Sequence, residues 1–199
     1  MLSNHLFNNR IFIVFVLPFI LGLLSVLSFQ PFNFTLINFL IIPSLFLIIS
    51  FVRKKSKNVY RKKPYLKNIF FIGYFFGIAF FLSGTYWISY SLTFDENLKF
   101  LIPISITLIP LSLGLFFGLA SLCSGLFLKN NYSSFFLFCL IFSIIDYLRG
   151  EILSGFPWNL WSYSWSWLVE VIQVLNPIGL YAFNSISIVF FCSPAILFF

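Results

Sequence analysis

Residues 69–92 read IFFIGYFFGIAFFLSGTYWISYSL, an unbroken run with no charged side chain. About 20 consecutive apolar residues suffice for a helix to cross the hydrocarbon core of a bilayer, so this stretch is long enough to span one. Its interruptions are small or aromatic: Gly73, Gly77 and Gly84, then Trp87 and Tyr90 near the end. Gly73 and Gly77 form a GxxxG spacing, which permits close helix approach in lipid. Trp87 and Tyr90 stand at i and i+3 and give the helix end an aromatic surface.

Similar runs recur on both sides. Spans are predicted at residues 11–29, 34–52, 69–92, 100–128, 134–148 and 178–199, six in all. The chain is 60% hydrophobic and only 9% charged, with a mean hydropathy of +1.01. A soluble domain would be nearer a quarter charged. The fold class is therefore all-α, a polytopic membrane helix bundle. The first run follows Arg10, is long for a signal sequence and lacks a small-residue cleavage site, so it reads as a retained span. Gln30, Pro31, Phe32 and Asn33 supply turn chemistry between the first two spans. Pro103 and Pro110 predict an irregular or kinked start to the fourth, whose Gly114 and Gly118 repeat the GxxxG spacing.

Charge sets the expected orientation. Eight of the twelve Lys and Arg residues lie in RKKSKNVYRKKPYLK, residues 53–67. A basic cluster between apolar spans marks a cytoplasmic loop, with attraction to anionic lipid besides. With the N-terminus cytoplasmic, that side carries Arg10, the cluster and Lys129, and no acid. The opposite side carries Lys99, Arg149 and all five acids, and residues 149–170 become an outer-face loop. The net charge of +7 is no sign of nucleic-acid binding, because no base-reading side chains accompany the cluster. His5 is alone, and Cys123, Cys139 and Cys192 sit in apolar runs without metal-ligand spacing. No metal site and no cofactor is expected.

The segment RGEILSGFPWNLWSYSWSW, residues 149–167, stands apart. It holds four of the five tryptophans, and Trp158, Trp161 and Trp165 follow helical spacing. Asp146 and Arg149 are three residues apart, neighbours on one helix surface. Two readings are open for this pair: an ion pair ending the fifth helix, or an arginine that holds a phosphate or carboxylate. Two are open for the aromatics as well, an interfacial belt or a binding surface. Gly155, Phe156, Pro157 and Trp158 favour the second, since Gly and Pro together shape a stiff, bent loop. Such backbone is tolerated at membrane depth only where protein or a cavity covers it.

Four stretches together resemble bacterial apolipoprotein N-acyltransferases. YLRGEILSGFPWNLWSYS is similar to their LRGW-x-x-TGFPW-x-x-x-GYS segment, with Glu151 and Ser162 where the family usually has Trp and Gly. GYFFGIAFFLSGTYWISYSL is similar to their third membrane helix, LSFQPFNF to their first turn, and LNPIGLYAFNSISIVF to a later Pro-Gly region. The resemblance implies a multi-pass enzyme of the bacterial inner membrane. It would move an acyl chain from a phospholipid donor to the N-terminal diacylglyceryl-cysteine of an apolipoprotein. The family's Glu-Lys-Cys catalytic set lies in a nitrilase-like domain that this sequence does not contain, so no catalytic residue is expected here. The expectation is a membrane part that is inactive alone, as a fragment or with a separate catalytic half. Alternatives are a non-catalytic scaffold or lipid-binding module and, last, a small transporter. Trp87, Tyr90, Arg149, Gly155, Phe156, Pro157 and Trp158 are the candidates for a lipid-substrate wall.

Overall fold

Apolar runs become helices because a helix satisfies its own backbone groups where no water can. The computed structural model describes residues 10–57, 64–128, 131–152 and 155–198. His5, Lys129 and parts of the basic and aromatic loops (58–63 and 153–154) lie outside the described residues. Among those described there is no strand. The helices are α1 (Phe12–Ser28), α2 (Asn38–Lys57), α3 (Pro64–Thr85), α4 (Ile102–Phe127) and α5 (Tyr132–Glu151). Two single turns, α6 (Val169–Ile172) and α7 (Leu175–Ile178), precede α8 (Leu180–Cys192).

Among the described residues, five segments are long and apolar enough to cross a membrane: Thr35–Lys55, Tyr65–Phe94, Glu96–Phe127, Tyr132–Glu151 and Leu180–Phe198. Helix α1 is shorter. Its length of roughly 25 Å, at 1.5 Å per residue, reaches the lower limit for a span. The chain is a polytopic helical membrane bundle.

Helix α3 lies at its centre. Ile69, Ile72, Phe76, Ala79, Phe80 and Phe81 are all fully buried. Along the α3–α4 seam the two GxxxG pairs meet each other. Gly73 lies against the Phe117 carbonyl and Ser121, and a methyl on Gly77 would stand 2.9 Å from the Gly114 Cα. One on Gly118 would stand 2.7 Å from the Phe70 ring. On the other flank, Gly22 of α1 lies against the Phe76 carbonyl and Ala79. In lipid no hydrophobic force drives helices together, so close packing of this kind is what holds them. The outward side of α4 presents Leu108, Leu111, Leu115 and Leu119.

The irregular backbone at the entrance to α4 lies ahead of the prolines expected to cause it: Tyr86–Phe94 and Glu96–Leu101 are 3-10 turns, whereas Pro103 and Pro110 both lie within the continuous helix Ile102–Phe127. Pro103 sits in the first turn, where its missing N–H costs nothing. Asp95 caps this entrance by accepting from the Asn97 amide, and Glu96 pairs with Lys99. Asn131 caps α5 through Ser134. At the opposite end of the bundle Arg10 donates to Asn68 at 2.7 Å, tying α1 to α3.

Candidate functional site

The site grows from the last turns of α5. Asp146 and Arg149 share a face of the helix and pair at 3.1 Å, both buried. Burying two charges is costly unless their remaining hydrogen-bonding capacity is filled. Here most of it is. Asp146 Oδ2 accepts from Asn184 of α8 at 3.0 Å, and Asn184 Oδ1 accepts from the Ser162 amide. The Arg149 guanidinium donates to the carbonyls of Phe156 and Trp158 at 2.7 and 2.8 Å, and it lies 5.1 Å from the Phe81 ring centre. Four elements are thereby joined through one buried ion pair: α5, the aromatic loop, α3 and α8.

Arg149 is engaged from two sides, by Asp146 and by the aromatic loop. Its side chain has no exposed surface, and its donors point at loop carbonyls. It holds the loop's backbone. Gly155 makes the loop possible: its φ is +69°, and a side chain there would collide with the Gly150 carbonyl.

The helical spacing of the tryptophans misleads. Trp158, Trp161 and Trp165 share no face, because Asn159 takes a positive φ of 57° and Leu160 is extended before a 3-10 turn begins at Trp161. Trp161 is driven into the core, stacked on Phe80 at 5.1 Å. Trp165 stacks on Phe191 of α8 and donates to Ser187. Trp167 donates to Thr35, whose hydroxyl donates in turn to the Ser164 carbonyl, fastening the loop to the start of α2. Trp158 turns the other way and is half exposed.

There it lines an open cleft of about 930 Å³. One wall is the turn after α1, with Gln30, Pro31 and Phe32; the second is the end of α3, with Ser83, Gly84, Tyr86 and Trp87. The third is Trp158, Asn159, Tyr163 and Ser166 of the loop. Trp87 and Trp158 meet edge to face with ring centres 5.8 Å apart. Gly84 has no side chain because the Asn159 amide occupies that space. Burial pushes the Tyr163 hydroxyl above its ordinary pKa, with the Arg149 charge acting the other way.

Of the sequence candidates, Trp87 and Trp158 line this cleft. Arg149, Gly155, Phe156 and Pro157 stand behind the wall, and Phe156 packs on the core. Tyr90 is exposed and outside the lining. Sequence reasoning did not single out Gln30, Tyr86, Asn159 or Tyr163 as site residues. The dipeptide Trp158-Asn159 carried a usable signal, since Asn tolerates the left-handed region that redirects a chain. Cys139 and Cys192 are buried, Cys123 is half-buried, and none of the three lines the cleft.

A helical membrane bundle with an aromatic cleft at one end, backed by a buried Asp-Arg-Asn network, defines the class. Residues 21–193 match the family model described as apolipoprotein N-acyltransferase N-terminal domain. The chain is 35% identical over 170 residues to the apolipoprotein N-acyltransferase of Rickettsia bellii, covering 85% of this chain and 32% of that protein. Against the Rickettsia prowazekii protein of the same name it is 32% identical, over 87% of this chain and 32% of the relative. Against that of Rhodopseudomonas palustris the figures are 28% identity, 92% and 33%. The chain belongs to the apolipoprotein N-acyltransferase family, and it spans about one third of the length of these relatives.

Proposed function

We propose that this chain provides the membrane-embedded part of an apolipoprotein N-acyltransferase, with its cleft at the outer face of the bacterial inner membrane. One observation carries the reading. The cleft's three walls come from three of the stretches that bear the family resemblance, LSFQPFNF, GYFFGIAFFLSGTYWISYSL and YLRGEILSGFPWNLWSYS, far apart in sequence. The fourth, which contains Asn184, holds the loop from behind. The cleft would seat the phospholipid acyl donor, its chains among the aromatic walls and its headgroup toward water. Bond making on the apolipoprotein would fall to catalytic groups outside these helices.

Exchange of the matching N-terminal third of the Rickettsia bellii relative for this chain tests the proposal. The chimera is expected to N-acylate a diacylglyceryl-cysteine lipoprotein in cells depleted of their own enzyme. Trp158→Ala in the chimera should lower that activity by about tenfold or more while the protein still accumulates in the membrane. Full activity of the variant would remove the cleft from the reaction.

A further inference from the structure

The end of the bundle away from the cleft has a chemistry of its own. All five acidic residues, Asp95, Glu96, Asp146, Glu151 and Glu170, lie on the cleft side. At the other end Arg10 precedes α1, Arg53, Lys54 and Lys55 stand in the last turns of α2, and Lys67 in the first turn of α3. Two of these cations meet at one seam. Arg10 Nη2 donates to Asn68 Oδ1 at 2.7 Å, in the residue that follows Lys67. The guanidinium has further donors to offer, and Asn68 accepts through its oxygen, which leaves its amide N–H groups as donors. Lys67 lies 5.9 Å from the Phe71 ring centre, and Phe71 meets Phe15 of α1 at 5.7 Å. Helices α1 and α3 are thus joined here twice, once through polar groups and once through rings. Arg10 and Lys67 are both exposed.

Below this seam the rings continue. Phe15 meets Phe75 edge to face at 5.0 Å, and Phe70 stacks on Tyr74 at 5.7 Å. Phe15, Phe70, Phe71, Tyr74 and Phe75 are only half-buried, so an apolar ring face lies open beside the two cations. We propose that Arg10, Lys67 and Asn68 form a headgroup clasp for an anionic phospholipid, whose acyl chains lie along the ring face of α1 and α3. The phosphate finds two cations and an amide donor with no carboxylate in competition, and the chains find aromatic surface directly beneath. A free phosphate shares the anionic chemistry but leaves the rings unused. The charge asymmetry assigns the lipid to the leaflet expected to be cytoplasmic. Its effect is to fasten α1, which only just reaches spanning length, to α3. The site is remote from the cleft and stands apart from the acyl-transfer reading.

Native mass spectrometry of the full chain, released from a non-ionic detergent, tests the clasp. The probes are dioleoyl phosphatidylglycerol, dioleoyl phosphatidylcholine and glycerol 3-phosphate. Phosphatidylglycerol is expected to bind about tenfold more tightly than phosphatidylcholine, the difference that two basic side chains make near a lipid surface. Glycerol 3-phosphate at equal concentration should not displace it; displacement would mean an anion site without a lipid and would overturn the proposal. Arg10→Gln with Lys67→Gln should reduce the preference to about twofold or less. Lys67→Gln alone, which leaves the Arg10–Asn68 contact in place, should reduce it to about threefold. Lys54→Gln with Lys55→Gln removes the same charge from the end of α2 and should retain the preference. Equal loss in the two double variants would make the effect a diffuse basic field and overturn the clasp, as would equal affinity of the unaltered chain for both lipids.

Discussion

The α3–α4 seam and the corner formed by α5, the aromatic loop and α8 solve the same problem by opposite means. The seam is held by what is missing. Gly73, Gly77, Gly114 and Gly118 remove side chains so that two helices and a shelf of Phe rings can touch. The corner is held by what would ordinarily be excluded, a buried carboxylate and guanidinium. The difference follows from backbone geometry. Two regular helices have no spare polar groups, so shape alone can join them. The loop at residues 155–165 is irregular, and its carbonyls need donors inside the protein. Arg149 brings several donors in a fixed fork, which a shape-based contact cannot supply.

The largest expected effect comes from breaking the corner. Arg149→Ala leaves Asp146 buried without its partner and the Phe156 and Trp158 carbonyls without donors. A loss of about 3–5 kcal/mol is expected, the usual cost of orphaning a buried charge. Denaturation in mixed micelles would measure it. The double variant Asp146→Leu with Arg149→Met sharpens the contrast. Replacing a whole buried pair by apolar side chains is often harmless, yet here two loop carbonyls stay unsatisfied. The double variant should therefore remain destabilised. If it regains wild-type stability, the pair serves only itself and the loop-holding role falls.

Breaking the seam should cost less. Gly77→Leu forces bulk against Gly114 and Phe117, and overpacking typically costs about 1–3 kcal/mol. The loop does not depend on this contact, so the Trp87–Trp158 pair should survive, which tryptophan fluorescence can follow. The smallest effect on stability belongs to Trp158→Ala. Its ring is half exposed and contributes one edge-to-face pair, worth about 1 kcal/mol. A large stability loss at Trp158 would mean that its ring belongs to the core and not to the cleft.

The same comparison marks how far the residues could be read. Helices in a membrane bundle follow from apolar runs of spanning length, because the bilayer leaves a chain few alternatives. The GxxxG spacings were visible in sequence, but their pairing was not. A single match says that a helix can be approached, not by which neighbour. In the aromatic loop, Gly155 and Pro157 announced a bent segment, while the division of the tryptophans stayed hidden. Helical spacing put Trp158 and Trp161 on one face; a single positive φ at Asn159 sends one to the cleft and the other to the core. Asn184 lies 38 residues from Asp146, and no local pattern connects them.

The sequence by itself determined that this protein is a helical membrane bundle, which way its charge asymmetry orients it by expectation, and which family it resembles. Those properties are sums over many residues or strings of neighbours, and both are present before folding. Only the tertiary structure decided that Arg149 holds a loop, that Trp87 and Trp158 share a cleft with Gln30 and Asn159, and that the turn after α1 forms one of its walls. Those are meetings between distant segments. They depend on backbone turns of one or two residues, whose effect on direction exceeds any trace they leave in composition or spacing.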